Sequence, residues 1–100
     1  MIYNQGDIVL IPVPFSDLTN RKQRPVLIIS NDDYNKITED IVVVAITSQL
    51  RDLDYSVVRA DKVYTLSKNI VRKKFGRVNA EVIYDVQSKL NALIRGTRGQ

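Results

Sequence analysis

For its first two thirds the chain alternates short, β-branched apolar runs with polar connections. DIVLIPVPF (7–15) predicts a strand, bent toward an edge in its second half by Pro12 and Pro14, which donate nothing to a ladder. SDLTNRKQ (16–23) is polar and predicts a loop. RPVLIIS (24–30) predicts a second strand with its proline at the start, and NDDYNKITED (31–40) a turn with one helical turn from Asn31 or Asp32. IVVVAIT (41–47) is continuously apolar up to its threonine, the pattern of a strand buried on both faces or set in the wall of a small barrel. After QLRDLDY, the stretch SVVRADKVYTL (56–66) is β-rich with interruptions, and a basic segment runs on to Gly76.

The period then changes. AEVIYDVQSKLNALIR (80–95) carries apolar residues at 83, 86, 90, 93 and 94, the spacing of one helical face. Asn79 is a good N-cap and Gly96 a plausible residue just past the end. This helix is expected to lay Ile83, Val86, Leu90 and Leu93 on the sheet, with the tail 97–100 frayed. The pattern predicts one domain over 1–96, mainly β within the α+β class: a small, partly open β-barrel closed by a C-terminal helix.

Composition narrows the chemistry. In 100 residues, 44% hydrophobic and 26% charged fits a globular chain. No apolar run is long enough to span a bilayer, and the N-terminus lacks the basic and small-residue features of a signal peptide. There is no cysteine, so disulfides, thiol catalysis and zinc–thiolate sites are excluded, which fits a cytoplasmic protein. There is no histidine either, which excludes Ser-His-Asp hydrolysis, histidine-pair ribonuclease chemistry and histidine-ligated metals. Catalysis has only carboxylates, hydroxyls, Lys, Arg and Tyr to draw on. The net charge of +4 is unevenly spread: residues 1–20 hold no Lys or Arg, whereas KNIVRKKFGR (68–77) holds five. Such a patch suits a polyanion, and equally a solvated face.

Four groups of side chains stand out. Arg24 sits where a polar loop enters an apolar strand; its planar fork of donors suits phosphate, or a surface ion pair. Thr47 and Ser48 end the most apolar strand, where hydroxyls hold a phosphate oxygen or satisfy local backbone. Arg59 and Asp61 are two apart on a predicted strand and so share a face, as base and charge stabiliser or as a solvent-facing pair. Phe15 and Tyr64, with Tyr34 and Tyr55, are either stacking platforms for unpaired bases or core.

Taken in order, these stretches resemble the MazF/PemK/Kid family of toxins from bacterial toxin–antitoxin pairs. GDIVLIPVPFSDLTNRKQRPVLIIS resembles the family's opening hairpin, VVVAITSQL its second signature, and SVVRADKVYTLSK with FGRVNAEVIYDVQSKL its third strand region and terminal helix. The resemblance implies an SH3-like barrel with a C-terminal helix, usually a homodimer. It implies a metal-independent endoribonuclease without cofactor, cutting single-stranded RNA at a short sequence. The RNA's own 2′-hydroxyl attacks, leaving a 2′,3′-cyclic phosphate and a 5′-hydroxyl. An acidic, partly disordered antitoxin is the implied partner, and the cytoplasm the implied compartment.

Residue by residue, the resemblance implies catalytic roles for Arg24, Thr47, Arg59 and Asp61, the last two as an R-x-D pair. RNA contacts fall to the first loop and its flanks, Phe15, Ser16, Asp17, Thr19, Asn20, Arg21, Lys22 and Gln23, together with Ser48. Kid-like members place a histidine in that loop; here Asp17, Thr19, Asn20 or Arg21 would stand in for it. One departure is plain: between AITSQL and SVVRADK this chain has only RDLDY, shorter than the family pattern by roughly one strand and its turns. Two other functions suit the same fold, a gyrase poison of the CcdB kind that wedges into a protein, and a barrel that binds RNA without cutting it.

Overall fold

The computed structural model of the chain describes residues 2–13, 22–46 and 58–95, with the backbone alone at residues 13 and 58–61. The elements are β1 (Asp7–Val13), β2 (Lys22–Ile28), α1 (Asp32–Ile37), β3 (Asp40–Ile46), β4 (Val58–Ser67), a 3₁₀ turn (Lys68–Ile70), β5 (Lys73–Arg77) and α2 (Ala80–Arg95). The strands form one antiparallel five-stranded sheet in the order β4-β3-β2-β1-β5, with β4 and β5 at its two ends. The sheet is not closed, in keeping with the expected partly open barrel.

Register explains why the strands are apolar on both faces. Ile8 pairs with Leu27 and Leu27 with Val44, one row on one face. That row packs with Ile46 and with Val82 and Val86 of α2. On the other face Val9, Ile11, Val26, Ile28, Ile41, Val43 and Leu66 form a second cluster, flanked by Tyr3, Tyr64, Ile70 and Val71. β3 supplies both clusters, as its unbroken apolar run predicted. Each fully buried Val, Ile or Leu contributes about 1.5–3 kcal/mol.

Several boundaries differ from the expectation, each for a local reason. β2 begins at Lys22, so Lys22 and Gln23 are strand rather than loop, and Pro25 lies inside the strand. Proline is tolerated there because the β2–β3 pairing starts only at Val26, leaving Pro25 with β1 alone among the described residues. β2 ends at Ile28, not Ser30. The amides of Ile29 and Ser30 both donate to the Val42 carbonyl, at 2.9 and 3.3 Å, and the Ser30 hydroxyl accepts from the Val42 amide at 3.0 Å, which turns the chain out of the ladder. The helical turn after it is α1, capped by Asn31, whose Oδ1 accepts from the Tyr34 amide at 2.7 Å.

α2 spans the predicted residues, and Asn79 caps it: its Oδ1 accepts from the Val82 amide at 3.0 Å. The buried stripe includes Val82, which the expectation left out, and stops short of Leu93. Val82 and Val86 are buried, Ile83 and Leu90 half-buried, and Leu93 is 55% exposed, contrary to its expected place on the sheet. Leu93 and Ile94 prolong the stripe at the C-terminal end of the helix, past its buried residues Val82 and Val86. Asn79→Ala is expected to destabilise the chain by about 1 kcal/mol, a fall of roughly 4–8 °C in the thermal melt, because it leaves an N-terminal amide of α2 without its acceptor.

β5 is the element that periodicity missed. All of its residues are exposed. Glycine at position 6, with φ of 96°, supplies the turn into β1. Its amide donates to the Ile28 carbonyl and its carbonyl accepts from the Val78 amide, which ties β2 to the segment after β5.

Candidate active site

Register brings three strand ends together. Arg24, near the start of β2, pairs with Ile11 of β1. Val26, two residues on, pairs with Ala45 of β3, and Ala45 pairs with Arg59 of β4. The beginning of β2, the end of β3 and the beginning of β4 therefore lie side by side at one end of the sheet. The β2 and β4 backbones are two strand spacings apart there, about 10 Å.

At this end the side chains of Lys22, Gln23 and Arg24 are exposed, above the buried Ile11 and Pro12 of β1. Arg24 makes no ion pair or hydrogen bond with a described residue, so its guanidinium fork faces solvent with all five donors free of them. Arg59 is the second residue of β4. The side chains of Arg59 and Asp61 lie outside the described ones, but the backbone bears on their expected relation. Between Val44↔Val63 and Ala45↔Arg59 the ladder slips, so that Ala60, Asp61 and Lys62 have no partner on β3. The simple alternation that would set Arg59 and Asp61 on one face does not apply across that irregularity.

Thr47 and Ser48 follow directly on Ile46, the last residue of β3, and lie outside the described residues. So do Phe15, Ser16, Asp17, Thr19, Asn20 and Arg21 of the first loop, Tyr55, and the short RDLDY connection. Of the aromatic candidates that are described, Tyr64 pairs with Val43 and packs against the second core cluster, the core alternative. Tyr34 is half-buried and lines a cleft of about 320 Å³ with Gln5, Ile29, Ser30, Asn31 and Val42, away from Arg24.

A second arrangement, unexpected from the sequence, lies at the opposite end of β1. Asp7 is 1% exposed. Its Oδ1 accepts from Arg77 Nε at 3.1 Å, and its Oδ2 from the Asn4 amide at 2.9 Å, with Lys74 Nζ 3.4 Å away. Lys74 also donates to the Ile2 carbonyl at 3.0 Å and sits 6.0 Å from the centre of the Tyr3 ring. Three residues apart on a regular strand, Lys74 and Arg77 would point to opposite faces. The ladder between β1 and β5 slips by one residue: Val9 pairs with Lys74 but Ile8 with Gly76, leaving Phe75 as a bulge. The bulge restores parity and lets both cations reach one carboxylate. The GD at the start of β1 was the only trace of this in the sequence, and it does not name the partners.

Among the described residues no group of three or more His, Cys, Asp or Glu side chains is placed to hold a metal ion, and no helix is long and apolar enough to cross a membrane.

The model of a family described as PemK-like, MazF-like toxin of type II toxin–antitoxin system matches residues 4–94. Among solved structures, the MazE–MazF complex from Deinococcus radiodurans is similar with a TM-score of 0.78 at 23% identity, covering 97% of this chain and 100% of that one. An endoribonuclease from a mycobacterial species, in complex with its cognate antitoxin, is similar with a TM-score of 0.75 at 22% identity, covering 95% of each chain. An endoribonuclease from a mycobacterial species on its own is similar with a TM-score of 0.74 at 22% identity, covering 95% of this chain and 93% of the other. No curated protein matches by sequence.

Proposed function

The chain belongs to the PemK-like, MazF-like toxins of type II toxin–antitoxin systems, and on that premise we propose that it is a metal-independent endoribonuclease acting on single-stranded RNA. One observation carries the reading beyond family membership: the register gathers Arg24, the end of β3 that leads into Thr47, and Arg59 at a single end of the sheet. That end presents an exposed arginine that pairs with no described residue. A wedge that only blocks a protein partner needs no such convergence.

In the proposed reaction Asp61 takes the proton of a ribose 2′-hydroxyl. The 2′-oxygen bonds to the adjacent phosphorus as the bond to the 5′-oxygen breaks. The products are a 2′,3′-cyclic phosphate and a 5′-hydroxyl, whose proton comes from water. Arg24 and Arg59 stabilise the charge that builds on the phosphorane. They act by charge and hydrogen bonds rather than as acids, since a guanidinium holds its protons at neutral pH. Thr47 and Ser48 hold the scissile phosphate, and Phe15, Ser16, Asp17, Thr19, Asn20 and Arg21, with Lys22 and Gln23 at the start of β2, read neighbouring bases.

The active unit is proposed to be a homodimer in the cytoplasm, held in check by an acidic antitoxin. The mycobacterial relative seen with its cognate antitoxin supports the partner. The exposed Leu93 and Ile94 give a second copy apolar surface to bury. The test is direct: the purified chain is incubated with single-stranded RNA in EDTA, and the fragments are examined for a cyclic phosphate. Cleavage with that end is expected. Intact RNA together with inhibition of DNA supercoiling would replace the reading with a gyrase poison. Salt-sensitive RNA binding without cutting would replace it with a non-catalytic barrel.

A further inference from the structure

Among the described residues β5 is the edge strand of the sheet beside β1, and it carries an unusual set of side chains. Lys74 and Arg77 share Asp7, so one buried carboxylate offsets two cations. Arg72 and Lys73 are exposed and pair with no described acid. Phe75 is 44% exposed on the bulge, and beside it a Cβ at Gly76 would meet nothing within 4 Å. An aromatic ring in solvent, among cations that outnumber the one carboxylate they meet among the described residues, costs hydrophobic burial and invites a partner.

The position of this edge matters. Lys73 pairs with Leu10, and the Arg72 amide donates to the Leu10 carbonyl at 2.8 Å. Leu10 is next to Ile11, the partner of Arg24 on the other side of β1. Arg24 and the Arg72–Lys73 pair therefore flank β1 at the same level, about 10 Å apart in backbone, with Lys73 on the face of its partner Leu10 and Arg24 on the other face, that of Ile11. From there the basic edge leads away from the candidate active site, through Phe75 to Arg77.

We propose that the β5 edge is a second contact surface for single-stranded RNA, holding nucleotides that flank the phosphate at Arg24, with Arg72 and Lys73 on phosphates and Phe75 stacked on a base. The inference rests on the proposed ribonuclease reading and extends it outward from the site. Cations with an aromatic platform are what a single strand recognises. An extended acidic peptide would share the charge complementarity. It would bind by adding a strand to that edge, however, and the bulge at Phe75 interrupts that ladder while the lysines blunt it.

The test uses a fluorescent 2′-O-methyl RNA, which cannot be cut, in a short and a long form, bound by the parent chain, by Arg72→Ala/Lys73→Ala and by Phe75→Ala. Circular dichroism and thermal melts establish that the variants fold. For the long probe the double variant is expected to lower the slope of log affinity against log salt by about 1.4, the share of two phosphates. Phe75→Ala is expected to weaken binding of the long probe roughly tenfold. The short probe should move little, as should cleavage of a minimal substrate. Parent-like binding of the long probe by both variants overturns the proposal, and cutting of RNA by the same proteins shows that the ribonuclease reading stands without it. Loss of long-probe binding in a chain that cuts no RNA keeps the β5 surface and removes the catalytic reading. Parent-like RNA binding with lost binding of a glutamate-rich peptide overturns it in favour of the peptide.

Discussion

Purified Arg24→Ala is expected to cut single-stranded RNA about 100- to 1000-fold more slowly than the parent chain, with its thermal melt unchanged. The size follows from what the residue offers. A guanidinium fork aimed at a phosphorane stabilises charge that exists only in the transition state, so its loss falls on kcat more than on KM. The unchanged melt follows from position. Arg24 is exposed and makes no contact with a described charge, so truncation empties no core space and orphans no buried group. Arg24→Lys should recover only part of the rate, because lysine returns the charge without the planar, two-pronged geometry. Asp61→Asn should lose about 100- to 10,000-fold in the same assay, since the amide cannot accept the 2′-hydroxyl proton. Rates from single-turnover cleavage, read beside the melts, decide the matter. Full activity in folded Arg24→Ala and Asp61→Asn would remove both residues from the chemistry.

The parts of this fold that could be read from sequence are those whose cause is local. β3 shows itself as a β-branched run because both of its faces are core. α2 shows itself through its period and through Asn79, which caps within three residues of its own position. β5 has neither kind of signal. Its residues are all exposed, so no alternation marks them, and what makes the segment a strand is pairing with β1 some 70 residues earlier, fixed by Asp7. The same distinction applies to the candidate site. Arg24 could be picked out as a basic residue entering an apolar strand, but its nearness to Arg59 is a property of two ladders in series. Only the resemblance to a known family connected them in advance. The slip at residues 60–62 was invisible for the same reason, since Ala60, Asp61 and Lys62 read as ordinary strand until their missing partners are seen.

Asp7→Asn should lower stability by about 2–3 kcal/mol, and the melting temperature by roughly 10–20 °C for a domain of this size. The carboxylate is buried and accepts on both oxygens, from Arg77 on one and from the Asn4 amide on the other, with Lys74 beside it. An asparagine keeps the shape but presents an NH₂ to one of these donors, so a donor faces a donor in either flip. Removing one member of a fully buried pair costs about 3–5 kcal/mol. Here the figure is lower because Arg77 is 56% and Lys74 36% exposed, so both cations regain water once the anion is gone. For that reason Lys74→Ala and Arg77→Ala should each cost only about 1 kcal/mol, each leaving Asp7 with the other cation. A double-mutant cycle between Asp7→Asn and Arg77→Ala should give a coupling of about 1–2 kcal/mol. Hydrogen exchange adds the structural half of the argument. If Asp7 is what holds a strand with no buried side chain onto β1, the β5 amides should lose protection in Asp7→Asn before those of β2 and β3. A melt within a degree or two of the parent, or uniform loss of protection across the sheet, would show that the backbone ladder alone keeps β5 in place.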